Sequence, residues 1–97
     1  MDYQEFKKSL TEELPPKDWE EPLKSLWYEA KGDWNAAHDI VDGMNHATAK
    51  WIHAYLHRKE GDDWNAGYWY RQAGKNFPTN TLEEEHRELL EFILSDK

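Results

Sequence analysis

The chain contains no cysteine, which excludes a disulfide framework, a thiolate nucleophile and a cysteine zinc site. No apolar run approaches the ~18 residues that a membrane-spanning helix needs. Residues 1–10 are polar and lack the apolar stretch of a secretory signal. The expectation is a cytoplasmic protein without a membrane partner. Positive charge is scarce: 12 Lys and Arg stand against 20 Asp and Glu, for a net charge of -8. That balance works against phosphate-backbone binding, so no nucleic-acid partner is expected. There is no phosphate loop, no dinucleotide-binding glycine pattern and no Ser/His/Asp order, and no catalytic residue or cofactor is assigned.

Aromatic residues are what the chain has in quantity. They make up 14% of it, with six Trp among 97 residues, although mean hydropathy is only -1.09. Large rings bury much area each, so a few can build the core of one small domain. Every segment long enough to judge has helical spacing. Tyr3, Phe6, Leu10 and Leu14 form one stripe that stops at Pro15-Pro16, so residues 1–14 read as an amino-terminal helix. Leu23, Leu26, Trp27 and Ala30 form a second, ended by Gly32. Asp33 can cap a third, which buries Trp34, Ala37, Ile40, Val41 and Met44 and closes at Gly43. Asn45 or Thr48 opens a fourth, running through Lys59 with Trp51, Ile52, Tyr55 and Leu56 inward. A fifth follows Gly61-Asp62 and carries Ala66, Trp69, Tyr70 and Ala73. After the loop at 74–78, Thr81 and Glu84 make a capping-box pattern for a last helix within residues 79–97. The prediction is an all-α compact bundle of about six helices in a single domain.

An internal repeat sharpens this. Gly32-Asp33 and Gly61-Asp62 lie 29 residues apart, and in that register Ala37 matches Ala66, Ile40 matches Trp69 and Val41 matches Tyr70. Gly61-Asp62, Ala66 and Ala73 resemble the tetratricopeptide helical hairpin, although its period is ~34 residues. The resemblance implies two hairpins, at 20–44 and 45–75, in which small residues sit where paired helices cross. The run His53-Ala-Tyr-Leu-His-Arg58, with Glu60-Gly-Asp62, Asn65-Ala66, Tyr68-Trp-Tyr70-Arg71 and Ala73-Gly74, is also similar to a block in small bacterial and fungal proteins. That similarity implies a shared fold and site, and carries no activity to this chain.

Candidate binding residues concentrate in the 46–77 block. Lys50, Arg58, Lys59, Arg71 and Lys75 outnumber Glu60, Asp62 and Asp63 there, while both flanks are net acidic. His46, His53 and His57 fall within about 40° on one helix face at ~100° per residue. His53 and His57, one turn apart, could share a metal with Glu60 as third ligand, whereas His46 is about two turns away. The segment His-Ala-Tyr-Leu-His lacks the glutamate of the zinc-peptidase motif, and no metal is expected. His38 and His86 read as structural. Arg58 falls on the core side between Trp51 and Tyr55, where it must stack or pair, with Asp62 as the nearest partner. The alternative for it is an aromatic-walled anion pocket with Arg71 and a tyrosine hydroxyl. Tyr68, Trp69 and Tyr70 cannot all point inward, which leaves an aromatic surface for a contact. The leading expectation is a binding module that takes a protein, a peptide or a small anionic ligand through His53, His57, Arg58, Tyr68 and Arg71, or that associates with its own copies. The alternative is a small enzyme or metal-dependent protein centred on His53 and His57.

Overall fold

Helices begin in this chain where a side chain can accept the free amide hydrogens of a first turn. In the computed structural model, which describes residues 2–95, this sets the start of α1 (Tyr3–Ser9), α3 (Trp34–Asp42), α4 (Ala47–Lys59) and α5 (Asp63–Gln72). Asp2 accepts from Glu5 N, Asp33 from Ala36 N and Asp62 from Asn65 N. α6 (Leu82–Ser95) opens on the expected reciprocal pair, with Thr81 N donating to Glu84 and Glu84 N donating to Thr81 Oγ1. The acceptor for α4 is neither Asn45 nor Thr48 but His46, whose Nδ1 takes the Ala49 amide at 3.3 Å. α2 (Glu21–Ala30) has no side-chain cap; its second residue is Pro22, which has no amide hydrogen to satisfy.

The described residues hold six helices and no strand, in a bundle with a radius of gyration of 12.5 Å. α1 is shorter than its apolar stripe suggested: it ends at Ser9, and Leu14 is exposed. Ser9 and Thr11 turn their hydroxyls onto the carbonyls of Phe6 and Lys8, and such bonds compete with helix continuation. Trp27 Nε1 then takes the Ser9 carbonyl, and Lys31 Nζ takes those of Leu10 and Glu12. The expected final helix residues 96 and 97 lie outside the described residues.

The two hairpins are built on one repeated turn. Gly32 and Gly61 have φ of 88° and 87°, a left-handed conformation that costs a side-chain-bearing residue energy. Asp33 N donates to Tyr28 O at 2.8 Å, and Asp62 N donates to His57 O at 2.9 Å, which satisfies the last free carbonyls of α2 and α4 in the same way. Gly43 differs, with φ of -96°, so α3 ends without a left-handed residue. α2 packs on α3 and α4 on α5, with α3 against α4 between them. Ser25 and Ala37 in the first pair, and Ala54 and Ala66 at the matching positions of the second, are fully buried. Ser25 Oγ donates to Ala37 O at 2.8 Å, a contact that only a short side chain permits. α6 lies over α4 and α2 and touches α1. The core between them holds Phe6, Trp27, Trp51, Tyr55 and Tyr70 with Leu23, Leu26, Ile52, Leu56, Leu89 and Leu90.

Candidate functional site

The inner face of α4 is committed to the fold. Glu85 of α6 is 2% exposed, and a carboxylate so buried needs donors on both oxygens. It has them. Arg58 donates at 2.8 Å, Trp51 Nε1 at 3.0 Å and the Tyr70 hydroxyl at 2.7 and 2.6 Å. The other guanidinium arm donates to the Asn80 carbonyl. Burial works against the Arg58 charge, but the Glu85 hydrogen bond and charge outweigh it, and the Arg58 pKa is raised. Arg58 therefore pairs as expected, with Glu85 in place of the nearer Asp62. Asp62 is occupied instead by the Asn65 amide and side chain at 3.1 and 2.7 Å. Arg71 does not join Arg58; it is exposed on α5 and lies near Gly67.

A second buried carboxylate sits at the equivalent position of the other hairpin. Glu29 of α2, 29 residues before Arg58, is 4% exposed. Its Oε1 accepts from Lys59 Nζ at 2.6 Å and from the Tyr55 hydroxyl at 3.1 Å. Its Oε2 lies 3.5 Å from His86 Nε2, outside hydrogen-bond geometry. Desolvation pushes the His86 pKa down, against the pull of Glu29 and with the help of Lys59. Burial first, and the adjacent carboxylates second, push the Tyr55 and Tyr70 phenols well up. Consecutive residues of α6 thus meet the two hairpins, His86 facing Glu29 and Glu85 facing Arg58.

Of the three α4-face histidines, His53 and His57 are covered and His46 is exposed. His53 is 2% exposed and stacks on Trp69, with centroids 4.0 Å apart and planes 14° apart. His38 of α3, read from sequence as structural, reaches across so that its Nε2 is 3.1 Å from His53 Nε2. Trp34 stacks on His38 from the other side, with centroids 4.9 Å apart. One ring nitrogen from each of His38, His53 and His57 lies within 4.8 Å of the other two. Asp42 Oδ1 is 4.0 Å from His38 Nε2 and 3.9 Å from His53 Nε2. Burial, and then the neighbouring His38 and His57, lower the His53 pKa to about 4, with Asp42 pulling the other way. The imidazole is neutral at pH 7. Glu60 meets His57 Nδ1 at 2.7 Å, on the nitrogen that sets that ring's tautomer. His46 is spent as the α4 cap.

The outer face of α5 is the exposed one. Trp64 is 79% exposed and Tyr68 41%, and with Arg71 they recur at i, i+4 and i+7, along one side of the helix. Sequence reasoning selected Tyr68 and Arg71 and missed Trp64, whose only signal is its place one turn before Tyr68. The first hairpin supplies an internal comparison. Twenty-nine residues earlier, α3 carries Asn35, Asp39 and Asp42 at these positions, all exposed. That is an ordinary solvated face; its α5 counterpart is aromatic and cationic. Set against protein-family models, curated proteins and solved structures, the chain matches none significantly.

Proposed function

We propose that the chain is a small tetratricopeptide-like interaction module that docks an acidic peptide segment of another protein on the outer face of α5. Support for the repeat comes from the two matching Gly-Asp turns and from the fully buried small residues at matching positions of both helix pairs. In stacked-repeat proteins each hairpin buries its outer face against the next one. α3 packs against α4 in that way, whereas α5 packs chiefly on α4, meets α6 through Tyr70 and Glu85, and leaves Trp64 and Tyr68 uncovered, while α6 turns back over the inner helices.

The observation that carries the reading is the exposure of Trp64 and Tyr68 beside Arg71, at positions where the companion hairpin is polar. Exposed rings flanked by a cation are the side chains that dominate protein interfaces. Arg71 belongs to the net-positive block of an otherwise acidic chain, which favours carboxylates on the partner. The second reading, a metal-dependent protein centred on His53 and His57, is favoured by the 3.1 Å approach of His38 to His53.

Selection from a random peptide library on the full chain tests the docking surface. Acidic peptides should be enriched, and their binding should weaken with salt. Trp64→Ser, Tyr68→Ser and Arg71→Ser should each weaken it by about tenfold or more, a loss on the order of 1.4 kcal/mol, while leaving the fold intact. No enrichment, or enrichment that survives all three substitutions, rejects the surface. A dimer in light scattering that Trp64→Ser dissociates would assign the face to self-association in place of a foreign peptide.

A further inference from the structure

We propose that two facing residue pairs, His38 with Asp42 on α3 and His53 with His57 on α4, form a binding site for one divalent transition-metal ion of the zinc type. Three imidazole nitrogens and one carboxylate oxygen would hold it. The arrangement follows from helix geometry. Residues four apart stand one above the other on a helix, so each pair offers two ligands from one side, and the α3–α4 packing turns the pairs toward each other. Metal sites inside helical bundles are assembled in this manner, from side chains projecting between facing helices.

The distances suit a four-coordinate ion. Metal–nitrogen bonds of ~2.0–2.1 Å in a tetrahedron require nitrogen–nitrogen edges of about 3.3–3.4 Å, and the His38–His53 edge is 3.1 Å. Asp42, at 3.9 and 4.0 Å from the His53 and His38 nitrogens, needs to move inward by about half an ångström to close those two edges; it is an exposed residue, so its side chain has room to do so. The donor set of three nitrogens and one oxygen favours zinc, copper or nickel over magnesium or calcium. Glu60 contributes differently from its first assignment as a ligand. At 2.7 Å from His57 Nδ1, it accepts that proton and leaves Nε2 with the free lone pair, as carboxylates behind ligating histidines do. Trp34 and Trp69 hold the His38 and His53 rings by stacking, which limits the rotamer freedom lost on binding. An alternative grouping of His57, Glu60 and Asp62 is weaker, because Asp62 is already engaged as the α5 cap.

Without a metal, the His38 and His53 nitrogens must share one proton in an ordinary hydrogen bond, and the two states separate experimentally. The tag-free full chain, stripped with a chelator, is titrated with zinc in competition with a chromophoric chelator. One equivalent should bind, and the melting temperature should rise with zinc concentration. His38→Gln and His53→Gln should each weaken binding by ~100-fold or more, and Asp42→Asn by ~10-fold. His86→Gln, outside the cluster, should leave it unchanged. Should the buried His53→Gln variant fail to fold, the partly exposed His38 supplies the decisive substitution. Cobalt in place of zinc should give the intense visible bands of a four-coordinate ion. Absence of zinc binding, affinity that survives His38→Gln, or a weak six-coordinate cobalt spectrum would overturn the site.

Discussion

Arg58 shows how far the environment of one residue departs from its local sequence. Its helical phase places it on the core side of α4, and a guanidinium there must be paired. The pairing partner lies 27 residues ahead in the chain and also accepts from two further donors, Trp51 Nε1 and the Tyr70 hydroxyl. Arg58→Met leaves the buried Glu85 with Trp51 and Tyr70 but without a countercharge. The expected cost is about 2–4 kcal/mol, read as a lower denaturation midpoint with an unchanged slope. The double variant Arg58→Met/Glu85→Met should recover part of that loss, because replacing both members of a buried pair avoids the stranded charge. Additive effects of the two substitutions would show that the pair is not coupled.

At the scale of elements, caps and turns decide the architecture. Gly61 adopts φ of 87°, and a Cβ added there would meet open space, so any cost of substitution is backbone strain alone. Gly61→Val should therefore destabilise by roughly 1–2 kcal/mol. Gly43 also has open space around it but φ of -96°, and Gly43→Ala should stabilise by about 0.4–1 kcal/mol through the unfolded chain. Opposite shifts in melting temperature would check the pair of predictions; a loss in both would mean that the α3–α4 connection needs a glycine for another reason. The repeat register was legible because both turns use short-range bonds between residues three to five apart. The end of α1 was not, since the Trp27 and Lys31 contacts that fix it come from a different helix.

For the whole molecule, α6 is the element that closes the bundle. It places His86 against Glu29, Phe6 and Tyr55, where desolvation lowers the histidine pKa below its ordinary value of 6.5. The unfolded chain then binds the proton more readily than the folded one. Stability should be full above pH 6.5 and fall as pH drops below it, down to the lowered folded value. His53 titrates in the same direction, so the readout is the difference made by His86→Gln, followed by denaturant unfolding between pH 7.5 and 5. That variant should show a shallower loss on acidification. An unchanged pH profile would mean that His86 stays solvated in the native protein.

The sequence by itself determined the helical class, the hairpin turns and the position of most helix ends, because those features rest on contacts within about five residues. It also marked the 46–77 block as the place to look, through its rings and its charge. Only the tertiary structure decided which of those side chains are available. α6 consumes Arg58 and Tyr70 through Glu85, α3 turns His38 from an isolated residue into the partner of His53, and α5 keeps Trp64 outside. These outcomes depend on how one helix lies against another, and that packing joins residues 15 to 34 positions apart with no local pattern to announce them.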